Sequence, residues 1–308
     1  MQQTTIDHSV QCSGIGLHSG HKVHLVLKPA PEDSGIQIAV SGNGQTRYHR
    51  VRPEKASGTT LATTLSLDGA SLATVEHLFA AIRGLDVDNL RIEIRGGEAP
   101  IMDGSAAPFV FLLRSAGIKK QHAPRRVYRL VKSLEITDGD RFIKARPYPG
   151  FRVDYTIDFA HPLIGEQRMS FDLTAEGFAN AIAKARTFGF LKDVEALQQN
   201  GVALGGSLDN AVVLDDYALV NPEGLRFHNE FVRHKILDFI GDMALMELPL
   251  YGRFEVRLGG HALHNQFLRV LSEQRAKYLE EVELAPQAPA RDMATSLPGE
   301  ATGVPAPA

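Results

Sequence analysis

A chain of 308 residues, 44% hydrophobic and 22% charged, reads as a globular protein of about two domains at the usual ~150 residues each. A formal charge of -3 with no long basic or acidic run argues against nucleic acid or an anionic membrane surface as partner. One cysteine, Cys12, excludes an internal disulfide and a thiolate metal cage, and no apolar run reaches the ~20 residues of a membrane span.

The first ten residues, MQQTTIDHSV, hold neither a charged leader nor an apolar stretch, so a reducing cytoplasm is the expected compartment. GIGLHSG follows, rich in glycine but without phosphate-loop or dinucleotide spacing. KVHLVLKP alternates and predicts a strand. TVEHLFAAIRGL predicts a helix, with Thr74 placed to cap it and Gly84 to stop it. The strand NLRIEIR, the pair Gly96-Gly97 and the helix SAAPFVFLLRSAG come next, Ser105 capping and Pro108 tolerated in the first turn. The basic, proline-containing KKQHAPRRVYRL reads as a boundary, dividing residues 1–124 from 125–284.

Beyond it, FRVDYTIDF alternates as a strand, and an apolar, glycine-rich stretch near 189–215 reads as a strand–helix–strand insertion. FVRHKILDFIGDMALMEL predicts a helix, GRFEVRL a strand, then Gly259-Gly260, then a helix through LHNQFLRVLSEQRAKYLEEV. Residues 285–308, rich in proline and alanine, are expected to be disordered. Both halves thus run strands, helix, strand, glycine pair, helix, which predicts a duplicated α+β unit with the active site in the cleft between the copies.

On the FVRHKILDFIGD helix, His234, Asp238 and Asp242 stand at i, i+4 and i+8, a polar stripe that should face that cleft. A His–Asp pair one turn apart can ligate a metal, or simply share a hydrogen bond on a wet face. His77, beside Glu76 on an otherwise apolar helix, offers a third ligand with a general base at its side. Three such ligands suit catalytic zinc, and the same set serves non-haem iron; zinc is preferred because no co-substrate site is evident. Lys235 brings a cation suited to phosphate or an oxyanion, unless it merely snorkels. Asp242 can orient His261 and keep it protonated as a general acid. His264 makes an H-x2-H spacing with His261, expected to be fortuitous, with His264 a polar residue at the helix start. The Thr187 hydroxyl is either an oxyanion donor or an ordinary strand residue.

TVEHLFAA, MDGSAAPFV, ARTFGF, LGGS, FVRHKILDFIGD and GGHAL, in that order between about residues 3 and 283, resemble the UDP-3-O-acyl-N-acetylglucosamine deacetylases of Gram-negative bacteria. Those enzymes carry out the committed deacetylation of lipid A synthesis. The resemblance implies two similar two-layer α/β sandwich domains with zinc between them, iron being possible in the cell. It implies His77, His234 and Asp238 as ligands, Glu76 as base, and His261 as acid oriented by Asp242. Thr187 would hold the amide oxygen and Lys235 would lie near the phosphates of an acylated UDP-sugar. The insertion, with Phe190 and Leu191, would form the acyl passage beside Phe188. Phe159 would stack on uracil, and Arg141 stands where relatives place a lysine near the sugar. His264 is outside the family motif. A deacetylase for another N-acetyl sugar and a noncatalytic sugar-nucleotide sensor are the rivals; no obligate protein partner is expected.

Overall fold

The alternation of KVHLVLKP becomes the strand Lys22–Pro29, which turns Val23, Leu25 and Leu27 into the core. In this computed structural model, which describes residues 1–40 and 47–285, that strand belongs to a five-stranded sheet. Its order is Val10–Ile15, Lys22–Pro29, Leu90–Arg95, Ile36–Val40, His49–Arg50. The central strand runs antiparallel to Lys22–Pro29 and parallel to Ile36–Val40.

The second half repeats this arrangement. Leu134–Asp138, Arg141–Arg146, Leu250–Arg257, Phe151–Phe159 and Gly165–Asp172 stand side by side. Here Leu250–Arg257 is the central strand, antiparallel to Arg141–Arg146 and parallel to Phe151–Phe159. Arg126–Leu130 and Leu279–Glu283 enlarge this sheet to seven strands. The chain is α+β, and the helices Glu76–Gly84 and Ala107–Ser115 of the first half correspond in order to Glu230–Met243 and His261–Glu273 of the second.

KKQHAPRRVYRL is strand on both sides of Arg125: Ile118–Pro124 pairs with the N-terminal Gln2–Ile6, and Arg126–Leu130 enters the second sheet. Ile118–Pro124 holds no buried residue and carries polar side chains on both faces, which is why the stretch reads as a boundary. The last helix stops at Glu273; after a short turn of helix, Leu279–Glu283 is a strand, because the edge of Arg126–Leu130 offers its backbone partners. Thr74 does not cap: it sits at φ 58° and its hydroxyl donates to Glu98 Oε1 at 3.0 Å. Gly84 ends its helix, but its packing role is clearer, since a Cβ there would lie 2.2 Å from Phe178. The proline- and alanine-rich tail beyond Ala285 lies outside the described residues.

One contact aligns the halves. All nine residues of Glu76–Gly84 are buried, and this helix crosses Glu230–Met243 at Gly241. A Cβ at Gly241 would stand 2.0 Å from the Glu76 carbonyl oxygen, so only glycine allows so close a crossing. The polar stripe expected to face an open cleft is therefore buried between two helices: His234, Asp238 and Asp242 are each 2–3% exposed.

Candidate active site

The crossing sets His77 on one helix against His234 and Asp238, one turn apart, on the other. Asp238 Oδ1 lies 3.3 Å from His234 Nε2 and 3.7 Å from His77 Nε2, and one ligand atom from each residue falls within 4.8 Å of the others. Asp238 Oδ1 has no hydrogen-bond partner, while Oδ2 accepts from Lys235 Nζ at 3.0 Å. An unpartnered buried carboxylate oxygen costs about 1–3 kcal/mol or more. A shared cation removes that cost, and the two separations bracket the ~3.4 Å between ligand atoms of a tetrahedral site with bonds of ~2.1 Å. His234 is prepared for such a role. Its Nδ1 donates to the Ala185 carbonyl at 3.1 Å, leaving Nε2 free, and burial pushes its pKa down to about 3, so the ring is neutral. The residues fit a metal ion.

Beside this cluster lies a second, and its hub is Asp242. Oδ1 accepts the Thr63 hydroxyl at 2.6 Å; Oδ2 accepts Nδ1 of both His261 and His264 at 2.7 Å. Burial works to raise the Asp242 pKa, but these charged and hydrogen-bonding neighbours hold it at about 2, so the carboxylate is ionised and only accepts. The effect on His261 is opposite. Burial lowers its pKa, yet Asp242, Glu76 and Asp238 push it up to about 10. Its free Nε2 faces Glu76 Oε1 across 3.9 Å. Burial raises the Glu76 pKa, and Glu76 Oε2 accepts the Thr63 backbone N–H at 3.1 Å. A carboxylate made more basic and an imidazole kept protonated thus stand opposite each other, next to the metal-type cluster.

His264 stands in the first turn of its helix, as expected, but not on a wet face. It is fully buried, bound to Asp242 and, through Nε2 at 3.3 Å, to the Tyr155 hydroxyl. Thr63 and Tyr155 were also missed by sequence reasoning. Neither sits in a motif with catalytic spacing, and only the tertiary fold brings them to Asp242.

Thr187 is fixed by its backbone, which donates to Gly104 O and accepts from Val212 N, both at 2.8 Å. The preceding Arg186 forms a buried ion pair with Glu230, Nε to Oε1 at 3.0 Å, which ties this loop to the start of the His234 helix. Thr187 and Phe188 line an apolar cavity of about 480 Å³ with Leu17, His18, Leu191 and Val194. The stretch near 189–215 forms the strands Phe188–Phe190 and Val212–Leu214 in parallel, with the helix Leu191–Gln199 between them. The Phe188 ring lies 6.3 Å from His234 and 5.5 Å from Phe159, and Lys235 Nζ lies over it at 5.5 Å. Phe159 also meets Phe190, at 6.1 Å. Arg141 is exposed opposite Asp138 and forms no hydrogen bond or ion pair with the other candidate residues. GIGLHSG wraps Glu98, which accepts the backbone N–H of His18 and Ser19.

Ligand-type donors held neutral or ionised, with a base and an acid at hand to move protons, are the equipment of a metallohydrolase. Comparison with known proteins makes this specific. The family model described as UDP-3-O-acyl N-acetylglycosamine deacetylase matches residues 3–273. A UDP-3-O-acyl-N-acetylglucosamine deacetylase from Oleidesulfovibrio alaskensis is 58% identical over 285 residues, 92% of this chain and 93% of the relative. One of the same name from Nitratidesulfovibrio vulgaris is 58% identical over 284 residues, 92% of each chain. One from Vibrio parahaemolyticus is 47% identical over 280 residues, 90% of this chain and 92% of the relative. The chain belongs to the UDP-3-O-acyl-N-acetylglycosamine deacetylase family, as its six motifs led us to expect.

Proposed function

We propose that this protein is a zinc-dependent hydrolase that removes the N-acetyl group from UDP-3-O-acyl-N-acetylglucosamine, releasing acetate in the committed step of lipid A synthesis. The observation that carries the reading is the pairing of Glu76 with a protonated His261 beside the unpartnered oxygen of Asp238. His77, His234 and Asp238 would hold the ion. Bound there, zinc would supply Lewis acidity toward the amide carbonyl and make water acidic enough to attack near neutral pH.

The chain's own groups do the rest. Glu76, its basicity raised by burial, takes a proton from the attacking water. Thr187 donates its hydroxyl to the carbonyl oxygen as charge develops there. His261, anchored on Asp242, gives its Nε2 proton to the amide nitrogen so that the C–N bond can break. The acyl chain takes the apolar cavity bordered by Phe188 and Leu191, and Phe159 stacks on the uracil. Lys235 reaches the substrate phosphates and Arg141 the sugar. The same reading takes residues 1–124 and 125–284 as two copies of one unit, supported by their matching strand order. It places the enzyme in the cytoplasm; no helix among the described residues is long and apolar enough to cross a membrane.

Acetate release from UDP-3-O-(3-hydroxyacyl)-N-acetylglucosamine tests it, measured before chelation, after chelation and after zinc or iron is restored. Release that stops with chelator and returns with zinc is the expected result. No release by folded, zinc-loaded protein overturns the reading in favour of another amide or a noncatalytic sensor.

A further inference from the structure

The mechanism above does not use His264, although it is the most enclosed imidazole beside the acid–base pair. It is 0% exposed, and its two ring nitrogens are both committed: Nδ1 to Asp242 Oδ2 at 2.7 Å and Nε2 to the Tyr155 hydroxyl at 3.3 Å. Asp242 is ionised, so His264 donates from Nδ1. Burial keeps His264 neutral, so Nε2 accepts the Tyr155 proton. Tyr155 is 1% exposed and comes from the Phe151–Phe159 strand, beneath the helix. Gly259 makes the closure possible. A Cβ there would lie 2.7 Å from the Tyr155 hydroxyl and 2.9 Å from His264 Nε2.

We propose that His264 is a positioning residue for the deacetylation: backed by Tyr155, it clamps the same Asp242 oxygen that holds His261. With the Thr63 hydroxyl on Oδ1, the carboxylate is pinned by three donors, one from the segment before the Thr64–Leu67 strand and two from the first turn of the His261–Glu273 helix, and cannot turn about its own bond. Its lone pair toward His261 Nδ1 is thereby fixed, and so is the direction in which His261 Nε2 presents its proton. The charged and titratable groups facing this network are Asp238 on the same helix as Asp242, Glu76 on the crossing helix, and His261 itself.

The proposal rests on the deacetylase reading, and its test separates the two. His264→Phe removes the donor but keeps a ring; His264→Asn keeps an amide N–H close to the position of Nδ1. On full-length, zinc-loaded protein of verified metal content, we expect His264→Phe to lower kcat at least ~10-fold with KM within ~2-fold, and His264→Asn to stay within ~3-fold of the parent, the 10–100-fold range being typical of such supporting contacts. The His261 Nδ1–H proton resonance, which needs no turnover, should move in His264→Phe and stay in His264→Asn. Should His264→Phe not fold, Tyr155→Phe carries the test, with a smaller shift of the same resonance expected. An unmoved resonance in the ring or tyrosine variant overturns the clamp, as does a His264→Asn that falls as far as His264→Phe. A parent protein silent in acetate release would sink the deacetylase reading instead, while the resonance still decides the clamp.

Discussion

Replacing Gly241 by alanine should damage the active site without touching any residue that does chemistry. The added Cβ would stand 2.0 Å from the Glu76 carbonyl oxygen, 2.8 Å from its carbon and 3.0 Å from its Cα, all backbone atoms inside a helix. Ordinary contact begins near 3.4 Å, so the helices must part by about 1.4 Å along that line. His77 is the next residue after Glu76, whereas His234 and Asp238 ride on the other helix, so the displacement falls almost wholly between the proposed ligands. Metal–ligand distances tolerate only about 0.2 Å, and the opening is several times larger. Overpacking should cost roughly 1–3 kcal/mol, which a core of this size survives. Zinc affinity should drop by on the order of 100-fold, and turnover at saturating zinc should fall about as much, since ~1 Å of misplacement is worth that factor. Competition with a chromogenic chelator gives the affinity, and acetate release gives the turnover. Gly260→Ala is the control: it lies beside His261, has extended backbone at φ -165° and nothing near its missing Cβ, and should behave as the parent. A folded Gly241→Ala protein with parental zinc affinity and kcat would refute the claim that this crossing sets the ligand geometry.

The other expectations follow from single groups. Glu76→Gln should keep the metal and lose about 10²–10⁴-fold in kcat, read by acetate release with zinc content measured in parallel. Thr187→Val should cost on the order of 10²-fold or more in kcat, and an unchanged rate would remove its oxyanion role. The pH profile of kcat/KM should stay flat well above neutrality, because His261 keeps its proton until about pH 10; Asp242→Asn, which deletes the first charge holding that proton, should move the basic limb to lower pH. Stability should follow with the opposite signs of the two groups. The contribution of His261, whose folded pKa is above the ordinary 6.5, is complete below pH 6.5 and lost as pH rises through about 10. That of Asp242, whose folded pKa is below 3.8, is complete above pH 3.8 and lost as pH falls through about 2. Denaturant midpoints across pH for parent and Asp242→Asn would expose either error.

What the sequence made legible was whatever repeats at short range. Two-residue alternation marked the strands Lys22–Pro29 and Phe151–Phe159 at both ends, and one-turn spacing put His234 and Asp238 on the same side of a helix. Failures came where a partner distant in sequence decides the outcome. The segment Leu279–Glu283 is charged and helix-like locally, yet it is a strand because Arg126–Leu130, about 150 residues earlier, has an unpaired edge. His264 is the sharper case. Three residues along a helix of 3.6 per turn, its Cβ lies only ~60° around the axis from that of His261, so an aspartate across from one imidazole can meet both. Spacing alone cannot tell that arrangement from a wet helix start. Burial decides it, and burial comes from Tyr155 closing over His264 at a position left open by Gly259. A polar residue at helical spacing from a candidate acid is therefore better judged by whether a donor and a missing side chain elsewhere in the chain make room for it. Here they do, and the second histidine supports the first.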